Sequence, residues 1–169
     1  GRVAIGDLLR KSARRFGARI ALTDGARQVS YAELERDANR FANYLVGRGL
    51  KPGTKIATIC NNSVEFVKAL FGIHRAGLVW VPINTMLGPG DVDYILGHAE
   101  VKFALVDENL YAAPERRAVL EKLGIDAIGV DLTGKAASLG LASFVELIEG
   151  QSEIEPEIAF DERDLAMII

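Results

Sequence analysis

Apolar positions along this chain recur in two rhythms, short solid runs and longer stretches in which every third or fourth residue is apolar. Leu34, Ala38, Phe41, Ala42 and Leu45 follow the second rhythm and so share one face of a helix. Ser30 and Glu33 precede them at the spacing of a capping box, in which hydroxyl and carboxylate each satisfy an orphan amide. Gly47 and Gly49 supply the stop. Ahead of this helix, residues 20–24 and 28–31 are two β-like runs around Gly25-Ala26, which predicts a hairpin. At the start of the chain, Ile5, Leu8, Leu9 and Phe16, with Asp7 among them, fit an amphipathic surface helix. Arg10, Lys11, Arg14 and Arg15 leave a transit-peptide reading open beside it.

From Lys51 the pattern becomes regular. "TKIATIC" is a buried strand, "NNSVEFVKALFGIHRAG" a helix with Asn62 and Glu65 in a cap-like spacing, and "LVWVPI" a second strand. "GPGDVDYILGHA" begins a helix near Pro89, whose missing donor suits a first turn. "VKFALVD" is a third strand, "LYAAPERRAVLEKLG" a helix with Pro114 in its first turns, and "DAIGVD" a fourth strand. A loop, "LTGKAASLG", leads to a short helix, "LASFVELIEG", and an acidic connection, "QSEIEPEIAFDERD", to a last apolar run at 165–169, read as a buried strand. Alternation of strand and helix with short links predicts an α/β fold: a doubly wound, mainly parallel sheet layer with helices on both faces.

Composition narrows the function classes. The 23 acidic and 20 basic side chains are scattered and leave a net charge of −3, so the sequence shows no electrostatic footprint for nucleic acid or an anionic membrane. No apolar segment approaches the roughly 20 residues that cross a bilayer. The single cysteine, Cys60, has no second thiol for a disulfide or a thiolate metal site, which fits a reducing compartment and an expected cytoplasmic location. Its own reading stays divided between a structural thiol and a reactive one.

In an open α/β sheet ligands bind at the carboxyl ends of the strands, which directs attention to residues 60–63, 84–90, 107–110 and 131–134. Asn61, Asn62, Asn84 and Met86 are the cleft candidates by strand-end placement alone. Turn chemistry is the competing reading for each of them. The glycines of "GRGLKPG" follow a helix and precede a strand, the wrong polarity for a dinucleotide fingerprint. "GPGD" at 88–91 follows a strand and opens a helix, so its amides could face an anion, although Pro89 removes one donor. His74 and His98 lack partners at metal-ligand spacing. Asp91 and Asp93 suit a helix amino terminus, and Asp107 and Glu108 a turn. Ser30 is engaged as a cap and Ser63 has no paired base, so no nucleophile, base and orienter assemble. The residues present point to no catalytic, cofactor-binding or metal group within the segment.

"VSYAELERDANRFANYLVGRGLKPGTKIATICNNSVEFVKALFGIHRAGLVWVPIN" resembles the amino-terminal half of the adenylate-forming (AMP-binding) enzymes, the superfamily of acyl-CoA synthetases, adenylation domains and luciferases. The matching pieces are "SYAEL" at 30–34 and "GIHRAGLVWVPIN" at 72–84, and the likeness continues through "MLGPGDVDYILGHAEVKFALVDE". The resemblance implies that a Ser/Thr/Gly-rich phosphate loop ending in Lys directly follows a segment like "DERDLAMII". On that reading residues 1–169 are an incomplete amino-terminal subdomain, inactive alone, that ends just before the loop. Carrier-loading adenylation domains usually carry Pro-Leu-Asp where this chain has Pro82, Ile83 and Asn84, so the resemblance favours the acyl-CoA synthetase branch. It implies a parent that joins a carboxylic acid to coenzyme A, using ATP and Mg2+, through an acyl-adenylate. It also implies a contact between copies consistent with a homodimer. The family's later magnesium-binding Glu and carboxy-terminal Lys match no position here. Two other readings stand beside it: a standalone α/β binding or interaction module, and an adenylation domain loading a carrier protein.

Overall fold

The computed structural model describes residues 5–158. The apolar run at 165–169, expected to be a strand, lies outside the described residues. Helix α1 (Ile5–Phe16) is followed by the predicted hairpin, β1 (Ile20–Asp24) and β2 (Arg27–Ser30), paired antiparallel. Gly25 takes φ +60° at its tip, a conformation that glycine reaches without Cβ strain. Helix α2 (Tyr31–Gly47) starts on extended Ser30, whose hydroxyl accepts from the Glu33 amide at 3.1 Å. The Glu33 carboxylate lies 3.4 Å from the Lys68 ammonium, so the hydroxyl half of the capping box is the half this helix shows. Leu9, Val29, Leu34 and Val64 form a small core between these pieces.

Beyond them run β3 (Lys55–Ile59), α3 (Val64–Arg75), β4 (Val79–Pro82), α4 (Pro89–His98), β5 (Phe103–Val106), α5 (Glu108–Tyr111), α6 (Pro114–Lys122), β6 (Asp126–Gly129), β7 (Ala142–Ser143) and α7 (Phe144–Ile148). The strands form one five-stranded sheet in the order β4-β3-β5-β6-β7, every pair parallel. Side chains alternate across it, as the period of a strand requires. Ile56, Phe103, Leu105 and Ile128 join Phe41, Leu45, Ala69, Ile73 and Phe144 from α2, α3 and α7 on one face. Ala57, Ile59, Ala104 and Val106 join Val92, Leu96, Val119 and Leu120 from α4 and α6 on the other. Helices therefore cover both faces of a parallel sheet, the architecture expected from the alternation.

Three local departures have clear causes. The predicted helix over 110–124 is two helices, because Ala113 before Pro114 is extended (φ −71°, ψ 119°) and Pro114 starts α6, as the steric restriction on a residue before proline requires. The predicted helix over 141–150 begins only at Phe144: Ala142 and Ser143 pair with Ile128 and Gly129, and the Ser143 hydroxyl accepts from the Glu146 amide at 3.4 Å. Helix α3 is capped by Ser63, accepting from the Phe66 amide at 3.0 Å, one residue later than the Asn62 spacing suggests.

The connection after α7 is fastened to the helices. Asn39 donates to the Glu153 carbonyl at 2.9 Å, and Asn43 to the Ser152 and Ile154 carbonyls at 3.0 and 2.7 Å. The buried Arg75 guanidinium donates to Asn39 Oδ1 and the Gly6 carbonyl and lies 2.6 Å from a Glu35 carboxylate oxygen. Arg10 donates through Nε to Glu155 at 2.7 Å. One buried cation thus ties α1, α2 and α3 together beside the connection.

Candidate functional site

Because the sheet is parallel, the carboxyl ends of β3, β4, β5 and β6 open on one side, the position where α/β sheets place their ligand loops. The ladder continues into these loops: the Ile83 amide donates to the Thr58 carbonyl and the Asp107 amide to the Ile59 carbonyl, both at 2.9 Å. This fixes where 83–87 and 107–108 begin.

At the β3 and β4 ends the structure brings together three of the four sequence candidates. Thr85 Oγ1 donates to Asn61 Oδ1 at 3.0 Å, and Asn84 Oδ1 accepts from the Met86 amide at 2.8 Å. Asn84 folds its own loop, while Met86 projects with 86% of its surface exposed. Asn62 points elsewhere and lines a shallow groove with Leu22, Thr23, Asp24 and Val67 beside the hairpin. Thr85 was not singled out by sequence; a hydroxyl next to Asn84 in a strand-end loop was the available signal.

The β5 and β6 ends form a second, more rigid wall. Glu108, read from sequence as a turn residue, is 1% exposed. Its carboxylate accepts from the Asp131 amide at 2.7 Å, and from the Thr133 amide and hydroxyl at 2.9 Å each. Burial raises the carboxyl's pKa, but the hydrogen bonds from Thr133 and Asp131 outweigh it and hold the group below its ordinary value. Asp131, at φ +64°, accepts through Oδ1 from the Ala136 amide at 3.0 Å. Asp107 caps α5 by accepting from the Asn109 amide, as turn chemistry predicted.

Cys60 sits between the walls. Burial, with the Asp107 and Glu108 carboxylates adding to it, pushes its thiol up to about 12, which disfavours thiolate chemistry and supports the structural reading. The small, mostly apolar space under Pro89, Val92, Tyr111 and Arg116 measures about 20 Å3, room for about one water.

The glycine-rich turn at 88–91 is open. Gly88 caps α4 without a side-chain hydrogen bond, Pro89 supplies no donor, and a Cβ at Gly88 or Gly90 would meet nothing within 4 Å. The "GPGD" turn is therefore an open helix start with no enclosing cradle. Among the described residues no trio of His, Cys, Asp or Glu is placed to hold a metal ion. His98 stacks on Tyr94 at 5.7 Å, and His74 lies by Gly6 on another helix.

Comparison with known proteins matches residues 9–169 to a family model described as AMP-binding enzyme. A medium/long-chain-fatty-acid–CoA/3-oxocholest-4-en-26-oate–CoA ligase of Mycolicibacterium smegmatis is 32% identical over 145 residues, which is 86% of this chain and 26% of that protein. A linear gramicidin synthase component of Brevibacillus parabrevis is 28% identical over 98% of this chain and 3% of its own length. Among solved structures, ATP-bound MatB from Rhodopseudomonas palustris superimposes with a TM-score of 0.70 at 30% identity, covering 94% of this chain and 31% of that one. The chain spans about a quarter of the length of the curated CoA ligases it matches (26%).

Proposed function

Since this chain belongs to the AMP-binding enzyme family, we propose that it forms the amino-terminal part of an AMP-forming acyl-CoA synthetase. The overall reaction would convert a carboxylic acid, ATP and coenzyme A into acyl-CoA, AMP and pyrophosphate by way of an acyl-adenylate, with Mg2+ as the accompanying cation. The observation that carries the reading is the family match over residues 9–169. The likeness to CoA ligases such as that of Mycolicibacterium smegmatis supports the CoA branch.

The role assigned to this segment follows from its geometry. On this reading phosphate binding and activation of the acid fall to other parts of the parent protein, a division that the open helix start at "GPGD" supports. The segment supplies the sheet and one wall of the acyl or pantetheine cleft, with Asn61, Thr85, Asn84 and Met86 on the cleft side of β3 and β4. An exposed thioether and short polar side chains suit contact with a flexible acyl or pantetheine chain. Asn62 is assigned to the outer flank of the same loop.

A second reading, an adenylation domain feeding a carrier protein, draws on the likeness to the gramicidin synthase. Asn84, in place of the Asp usual in such domains, weighs against it. Mass analysis of products separates the two: incubation of the complete protein with ATP, Mg2+ and a panel of fatty, aromatic and dicarboxylic acids should give acyl-CoA with free coenzyme A as acceptor. Adenylate formation without acyl-CoA would instead favour the carrier-loading reading.

A further inference from the structure

We propose that the outward face of α1 docks on an anionic phospholipid bilayer surface. Helix α1 packs against α2 and α3 and buries Gly6 and Leu9. A helix with that single duty would carry polar residues on its remaining surface. Here Ile5, Leu8, Ser12 and Arg15 follow one another at three- and four-residue steps on the outward side, and Ile5 and Leu8 are 71% and 55% exposed. Phe16 closes the strip at 39% exposure, and Ile20 extends it beyond the helix at 47%.

Cations border this strip. Lys11, Arg15 and Arg19 are exposed, and none has a carboxylate within ion-pair distance among the described residues; Arg14, on the other side of the helix, lines a groove with Glu35, Arg36 and Glu153. The helix's one acid, Asp7, is already paired with Arg10. The Arg15 and Arg19 guanidinium carbons lie 5.4 and 4.6 Å from the Phe16 ring centroid, which holds charge beside apolar surface. In a chain of net charge −3, this concentration gives one surface a sign opposite to the whole. These basic positions all fall between residues 11 and 19, a local basic stretch within an otherwise scattered charge pattern.

A basic amphipathic helix with Leu, Ile and Phe on its free side lies in the plane of a membrane interface, its apolar residues at the acyl boundary and its cations at anionic headgroups. Both halves of the observed face are used in that arrangement. It is peripheral binding: among the described residues no helix is long and apolar enough to cross a membrane. Nothing in this arrangement requires the ligase reading.

The test is co-sedimentation of the intact protein with vesicles of phosphatidylcholine mixed with phosphatidylglycerol, against vesicles of phosphatidylcholine alone. Binding to the anionic vesicles, weakened by salt and reduced about tenfold or more in a Lys11→Glu/Arg15→Glu variant, is expected from the contribution of each basic residue near such a surface. A Leu8→Asp variant should also bind less. A Lys102→Glu/Lys135→Glu variant, which changes net charge equally at exposed positions outside α1, should bind as the parent does. All four positions of the charge variants are exposed, and circular dichroism verifies that each variant is folded. No binding, equal binding to both vesicle types, or equal loss in the Lys102/Lys135 variant overturns the proposal.

Discussion

An amide in place of the buried Glu108 carboxylate keeps one acceptor oxygen but turns an NH2 donor onto either the Asp131 amide or the Thr133 amide and hydroxyl, leaving that side without its acceptor. Glu108→Gln is expected to destabilise the fold by about 2–3 kcal/mol, the scale of unsatisfied buried donors. The sign of its pH dependence is fixed by a folded pKa below the unfolded one. Its contribution is complete above the ordinary glutamate value and is lost as pH falls through the folded value. Stability measured against pH should therefore fall less steeply in acid for Glu108→Gln than for the parent. Cys60, with its thiol pushed up to about 12, should react with iodoacetamide at mildly alkaline pH far more slowly in the folded protein than in denaturant; equal rates would contradict the assigned burial. Sequence could show that Glu108 ends an apolar run, but not that the partners of its carboxylate lie 23 and 25 residues away. Asn84 was legible as a loop residue, and the structure shows its side chain closing that loop.

At the level of elements, the close approach of α2 and α3 depends on Gly72. A Cβ there would stand 2.9 Å from Phe41 Cβ and 3.0 Å from the Ala38 carbonyl oxygen. Gly72→Ala gains up to about 1 kcal/mol in helix propensity but overpacks the contact by about 1–3 kcal/mol. Net destabilisation is expected, read as a lower denaturant midpoint; an unchanged midpoint would refute the tight contact. Arg75→Met should lower stability in denaturant melts by about 1–3 kcal/mol, because it removes the buried donor of Asn39 Oδ1 and the Gly6 carbonyl and leaves the part-exposed Glu35 carboxylate without its cation. Strands and helices rich in periodic apolar residues were legible, since burial on one or both faces writes the pattern directly. The short β7 was not, because two small residues carry no β signal, and the Ser143 cap that starts α7 is seen only in the structure. Pro114 is visible in the sequence inside the predicted helix, and its restriction of Ala113 decides the break between α5 and α6.

For the whole molecule, alternation of element types was enough to give a parallel sheet covered on both faces, and the strand order followed only from the paired backbones. The candidate site was legible as a set of strand-end loops. Which side chains meet there depended on register between β3 and β4, which no local pattern encodes. The family match extends over residues 9–169 while the chain covers 26% of a curated CoA ligase, and the proposal is that chemistry is divided along a longer parent chain. The direct test is ATP-dependent pyrophosphate release with a panel of carboxylic acids and coenzyme A, run in parallel on the 169-residue chain and on the product of its full reading frame. Acid-dependent release by the full product and none by the chain alone is expected. Release by the chain alone, or none by either with any acid, would contradict that division.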